Sequence, residues 1–427
     1  MNSHPKVVID IATLGAIQVH RQNARGVHRV AEKLVSGLAA SQKCELAFVA
    51  TSEVFASYRL AKETPAFSQF PFLLGRQQLI LAKWANQKKR WITETLADRR
   101  LSSRIWRTAL YHLSNQADII AGHFSATKLT DADIYHSPQA PIPDQIQRSQ
   151  AKRFLTVHDL IPITQPTSVN GLGVSLLRRQ LRSLTPDSYA FCVSEHVRND
   201  LLKHSQLPPD NVFVTPLAAA PENFYPVTQP ELIRNTLKKY GLPDAPYFLT
   251  LSSFDPRKNF PFLIECFGRL ASARELPEHN LVIVGTNPER HSFYEAALAR
   301  HPQLKKRILA PGFIPDEDLA PIYSNATAFV FPSLSEGFGI PPLEAMQCGI
   351  PVIASNTTSI PEVVGEAGIL LPPTEMDAWC QAMLRISQDS SLRNQLREKS
   401  LLRCRRFTWD RFIQETLRGY ANALKLA

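Results

Sequence analysis

Short apolar runs alternate along this chain with segments of helical period. In the first half, residues 6–12, 44–51, 134–137, 153–159, 189–194 and 211–216 read as strands. In the second half, residues 247–251, 280–285, 326–331, 350–354 and 368–371 do the same. Between the first two strands, Val27, Val30, Ala31, Leu34, Val35 and Leu38 follow i, i+3, i+4, i+7 spacing and predict a helix over 26–40. Strands that alternate with helices in this way predict doubly wound α/β domains built on parallel sheets. Residues 216–246 are broken by Pro221, Pro226, Pro230 and Pro243, which marks an interdomain connection. The predicted layout is an N-terminal domain over 1–220, a linker over 221–246 and a C-terminal domain over 247–405. A last helix over 406–427 opens on Thr408 as N-cap, with Asp410 in its first turn.

The most informative stretch is Glu336-Gly-Phe-Gly-Ile-Pro-Pro-Leu-Glu344, continuing to Gly349 and Ser355. It follows a predicted strand and places two carboxylates around a glycine-bearing loop. Pro341 and Pro342 stand where a helix starts, and Gly349 where it ends. Unpaired amides at such a helix start suit a phosphate or diphosphate. Carboxylates do not bind phosphate, so the two glutamates are assigned to sugar hydroxyls.

This segment resembles the Glu-x7-Glu motif of retaining glycosyltransferases of the GT-B fold, glycosyltransferase family 4. The resemblance implies two Rossmann-like domains facing across a cleft. It also implies that Glu344 holds the nucleotide ribose and that Glu336 lies against the transferred sugar. Phe338, Gly339 and Ile340 belong to the same donor-binding loop.

Further motifs fit that family. Leu251-Ser-Ser-Phe-Asp-Pro-Arg257-Lys258-Asn259 ends a strand and precedes a helix, with Asn259 read as its N-cap. Two cations at this point match the charge that grows on a leaving diphosphate. The segment is similar to a Glu-Pro-Arg-Lys-Asn variant of the family. Many relatives carry their arginine where this chain has Ser253, so Arg257 is expected to supply that charge. Thr156-Val-His158-Asp159 ends another strand, and strand ends of open parallel sheets collect ligands. By resemblance, His158 holds donor-sugar hydroxyls rather than acting as a base. Gly26, in Asn23-Ala-Arg25-Gly26-Val-His-Arg29, resembles a Gly-Ile-x-Arg loop that closes on the donor phosphates. Pro311-Gly312-Phe313-Ile314 matches a loop that meets the nucleotide base through backbone groups at Ile314. Residues 194–200 and 358–363 are further matches, the first taken as structural and the second without an assigned role. Asp131-Ala-Asp133 has the Asp-x-Asp spacing of a metal-dependent sugar-nucleotide site, but lacks the partners of one, and no metal is expected.

Composition changes this picture little. At 427 residues, with 44% hydrophobic and 20% charged residues, the chain has the size of two ordinary globular domains. No apolar run is long enough to cross a bilayer, and no signal-peptide core precedes the first strand. Cysteines 44, 192, 266, 348, 380 and 404 are scattered, which predicts a reducing, cytoplasmic setting. The net charge of +10 is uneven. Nine basic residues between Arg76 and Arg107 interleave with Trp84, Trp91 and Trp106. That stretch suits the inner face of an anionic membrane or a lipid-linked acceptor, and equally a solvated helix face over core tryptophans. No nucleic-acid module accompanies it.

Together these features predict a metal-independent retaining hexosyltransferase with no cofactor beyond its nucleotide-diphosphate-sugar donor. The resemblance favours GDP-mannose and a glycan or lipid-linked glycan acceptor in surface polysaccharide or lipopolysaccharide synthesis. A sugar-nucleotide epimerase of the same fold and a non-catalytic sugar-nucleotide-binding partner are the alternatives.

Overall fold

The computed structural model describes residues 4–19, 26–94, 101–122, 131–166, 171–252, 255–276, 278–285 and 292–425. Two six-stranded parallel sheets organise it. The first comprises β1 (Lys6–Asp10), β2 (Glu45–Val49), β3 (Ile134–Ser137), β4 (Lys152–Val157), β5 (Tyr189–Cys192) and β6 (Val212–Val214), in the order β2-β1-β3-β4-β5-β6. The second comprises β7 (Tyr247–Ser252), β8 (Asn280–Gly285), β9 (Ile308–Gly312), β10 (Ala328–Phe331), β11 (Val352–Ser355) and β12 (Ile369–Leu371), in the order β12-β11-β10-β7-β8-β9. The central strands read as continuous apolar runs because helices cover both faces of each sheet. Val330, Ile353, Leu249 and Val282 are all fully buried.

Strand order decides where ligands collect. In the second sheet the chain winds from β7 outward through β8 and β9, then returns to place β10 on the other flank of β7. The loops leaving β7 and β10 therefore diverge, and a crevice opens between them. The first sheet has the same reversal between β1 and β3.

Eleven of the twelve strands coincide with apolar runs in the sequence. The exception is β9, whose Pro311 and Gly312 belong to the segment that resembles a base-contacting loop. As the edge strand it pairs only with β8, with a register shift there, and an edge position tolerates proline. The helix Gly26–Ser41 buries Val30, Ala31, Leu34, Val35 and Leu38, the stripe its spacing predicts. Asn259 precedes the helix Phe260–Ser272, but its side chain makes no capping bond. Held at φ 59°, it donates instead to the Pro373 carbonyl at 3.1 Å. Asp133 of the Asp-x-Asp element accepts the Lys6 amide at 2.8 Å. No helix among the described residues is long and apolar enough to cross a membrane.

The last helix, Trp409–Leu424, is capped by Thr408, whose hydroxyl accepts the Arg411 amide at 3.1 Å. It packs back onto the first sheet's side of the molecule. There the Tyr420 hydroxyl lies 2.6 Å from Nδ1 of the buried His136, whose Nε2 is 2.8 Å from the Thr156 hydroxyl. Burial lowers the His136 pKa to about 3, so the ring is neutral and needs one donor and one acceptor partner. Tyr420→Phe removes one of them and should destabilise the protein by about 1–3 kcal/mol in chemical denaturation, the usual cost of stranding a buried polar atom.

Candidate functional site

The β7–β10 crevice brings the neighbouring Arg257 and Lys258 together with Glu336, which lies far from them in sequence. After β7, Asp255 accepts the Arg257 amide at 3.0 Å and starts the 3-10 turn Pro256–Lys258. That turn aims Lys258 inward, over the Phe331 ring at 5.1 Å. After β10, the loop carries Glu336 into the same space. Its carboxylate receives Lys258 Nζ at 2.6 Å, Arg257 Nη1 at 3.0 Å and the Ser333 hydroxyl at 2.6 Å. Glu336 is nearly buried, and burial raises its pKa, but Lys258 and Arg257 outweigh that and hold it below the ordinary carboxylate range. Burial lowers the Lys258 pKa, only partly offset by Glu336. The residues assigned from sequence to the sugar and to the diphosphate thus form one charged cluster.

The helix Ile340–Gln347 starts behind this cluster, with Gly339 at its N-cap in a left-handed conformation, φ 111°. The expected row of helix-start amides is reduced here. Pro341 and Pro342 have no N–H, and the Leu343 amide already bonds the Gly339 carbonyl at 3.3 Å. The amides left to meet an anion are those of the Gly337–Ile340 turn. Phe338 is buried against Phe407, and Ile340 packs on the core. Ile314, at the end of the β9 connection, has its side chain fully buried.

Glu344 lies one helical turn further and is buried. Its Oε1 receives Arg29 Nη1 at 3.0 Å, and its Oε2 the Tyr323 hydroxyl at 3.3 Å. Burial raises its pKa to about 7 despite the Arg29 charge. Arg29 comes from the other half of the molecule, and its second amino group pairs with Asp316. Gly26 begins the same helix, exposed, with nothing near the position of an added Cβ. The loop before it lies outside the described residues, as does Ser253.

His158 is fixed from the opposite wall. Its Nε2 lies 2.9 Å from the Pro138 carbonyl, and a carbonyl only accepts, so Nε2 carries the proton. Burial lowers its pKa to about 4. The ring is therefore neutral and presents Nδ1 as a hydrogen-bond acceptor. The two walls touch here: a Cβ on Gly337 would lie 2.1 Å from the His158 carbonyl oxygen. Beside this contact, the Ser194 hydroxyl donates to the Gly337 carbonyl at 2.7 Å while capping the helix Glu195–His204. Glu362 accepts the first two amides of that helix, Glu195 at 2.8 Å and His196 at 2.7 Å.

Several of these partners escape a reading of the sequence. Arg29 sits inside a recognised motif, three residues after Gly26, and that spacing is the signal that marks it. Ser333, Tyr323 and Asp316 carry no local signal, because their roles depend on the fold.

Known proteins resemble this chain in sequence and in fold. A family model described as glycosyl transferases group 1 matches residues 233–402. The chain is 31% identical over 288 residues to O-antigen chain mannosyltransferase B of Escherichia coli, spanning 67% of this chain and 74% of that protein. It is 27% identical over 278 residues to the serotype-specific mannosyltransferase WbdA of Escherichia coli, spanning 64% of this chain but only 34% of WbdA. Among solved structures, sucrose-phosphate synthase from Thermosynechococcus elongatus superposes with a TM-score of 0.65 at 19% identity, over 99% of this chain and 100% of that one. Anabaena HepE in complex with UDP and glucose gives 0.62 at 14% identity, over 97% and 99%. At such identities the likeness is one of fold, and the fold is GT-B, two Rossmann-like sheets facing across a cleft. With its mannosyltransferase relative matched over most of both lengths, this chain belongs to the glycosyl transferases group 1 family and is a glycosyltransferase.

Proposed function

We propose that the protein is a retaining, metal-independent hexosyltransferase that moves mannose from GDP-mannose to a glycan or lipid-linked glycan acceptor of a surface polysaccharide. The observation that carries this reading is the buried Lys258–Glu336–Arg257 cluster at the β7–β10 crevice. The mannosyl donor is favoured by the named activities of the sequence relatives.

In this reading the diphosphate lies against Lys258, Arg257 and the Gly337–Ile340 amides. The bond from the anomeric carbon to the phosphate oxygen breaks, and charge developing on that oxygen is met by the two cations. The acceptor hydroxyl attacks from the same face and passes its proton to the departing phosphate. Glu336 accepts hydroxyls of the sugar and, by pairing both cations, fixes their positions. His158 Nδ1 accepts a sugar hydroxyl, and Glu344 accepts the ribose. Contact between the walls at Gly337 excludes water and limits donor hydrolysis.

Incubating the protein with GDP-mannose, competing nucleotide sugars and candidate acceptors tests the proposal. The expected product keeps the donor's anomeric configuration by NMR and forms equally in the presence of a chelator. An inverted product, an epimerised donor or activity rescued only by added metal would each overturn the corresponding part.

Four further outcomes follow from the site. Glu336→Ala should lower kcat by about a hundredfold or more, the usual effect of disrupting preorganised charge, with a small change in nucleotide affinity. Glu344→Ala should mainly weaken nucleotide binding, by about tenfold, the scale of one hydrogen bond to a charged group, in calorimetry. A carboxyl group accepts a ribose hydroxyl best when ionised, and burial places Glu344 at about 7. Nucleotide affinity should therefore rise as pH increases through about 7, and the rise should vanish in Glu344→Gln. Because Arg29 lowers that pKa, Arg29→Gln should move the rise to higher pH.

A further inference from the structure

The helices Arg76–Glu94 and Leu101–Gly122 form a hairpin on the first sheet's side of the molecule, and its outer face is unlike the rest of the surface. Ten large apolar side chains stand exposed among the described residues, and six of them are on this hairpin. On the first helix Ile80 is 70% exposed, Trp84 40% and Trp91 52%. Their spacing places them on one stripe, which Arg76, Lys83 and Arg90 share. On the second helix Leu113, Ile119 and Ile120 are exposed. No exposed carboxylate lies on this face among the side chains described. The acid on the second helix that is described, Asp118, is buried.

We propose that this face docks on an anionic lipid surface. Cations around interfacial tryptophans and aliphatic side chains match what a lipid headgroup layer offers, negative charge above hydrocarbon. A second copy of the chain is disfavoured, because the exposed cations at Arg76 and Lys83 would meet their own like charge across such a contact. A nucleic acid would satisfy the cations but not Ile80, Leu113 or Ile120.

The hairpin is held rigidly for such a role. Lys89, buried within it, pairs with Asp118 at 3.0 Å and with Glu53 at 3.0 Å. Asp118 in turn accepts the Glu53 and Val54 amides at 2.7 and 3.1 Å, which ties the hairpin to the start of the helix Val54–Glu63. Glu53 follows the C-terminal end of β2, and C-terminal strand ends form the ligand side of the sheet. Docking therefore sets the lipid surface beside the cleft. That this surface holds the acceptor rests on the function proposed above; the docking itself does not.

The test is co-sedimentation of the full chain with vesicles of phosphatidylethanolamine and phosphatidylglycerol, against vesicles of phosphatidylcholine, without donor. Binding to the anionic vesicles alone is expected, weakened by salt and accompanied by a blue shift of tryptophan emission. Lys83→Glu with Arg90→Glu should weaken it by about tenfold or more, and Trp84→Ser with Trp91→Ser should reduce both binding and the shift. All four positions are exposed, so unchanged thermal melting accompanies these losses. Equal binding to both vesicle types, or none, overturns the proposal. So does a concentration-dependent dimer or RNA binding that the same variants abolish. Vesicle binding without any sugar transfer would defeat the proposed function and leave this inference standing.

Discussion

A buried carboxylate between two cations is the constraint on which the rest of the cleft depends. Leaving such a group without partners costs roughly 3–5 kcal/mol, so Glu336, Lys258 and Arg257 hold one another in place. Arg257 is also tied to its own loop and to the facing one. Arg257 bonds Asp255 at 3.1 Å and the Ser335 carbonyl at 2.8 Å, which links the turn after β7 to the loop after β10. Two loops that diverge by topology are thereby joined at their tips. The two cations are thereby held in position and partly desolvated, and charges preorganised in this way need little rearrangement when opposite charge develops beside them.

The two halves of the molecule meet through polar contacts of a kindred type. Glu362 completes the N-terminus of the helix Glu195–His204 as an anion does, with partial positive charge at a helix start meeting a carboxylate. Ser194 serves both halves at once, as cap and as donor to Gly337. Arg29 reaches across to Glu344 and Asp316, and so occupies the carboxylate assigned to the ribose.

Much of this was legible along the chain because the physics involved is local. Eleven strands announced themselves as apolar runs, and the stripe from Val30 to Leu38 specified its helix face. Thr408 declared a helix start through its hydroxyl and the acid after it. Where local chemistry and tertiary context competed, context won. Pro311 belongs by resemblance to a loop, yet it lies in β9, where an edge strand needs no donor on its outer side. Asn259 has a capping side chain, but a left-handed backbone turned it toward Pro373. Pro341 and Pro342 marked the helix start correctly while removing the amides that a helix start normally offers.

The sequence by itself determined the two-sheet α/β architecture and the identity of the charged groups, since periodicity and motif spacing are properties of neighbouring residues. It also located the basic, tryptophan-rich stretch. The tertiary structure alone decided that Glu336 faces both cations, that Arg29 meets Glu344, and that Trp84 and Trp91 face outward. Those outcomes depend on strand order and on which helix face finds the core, and both are set by packing between segments tens to hundreds of residues apart.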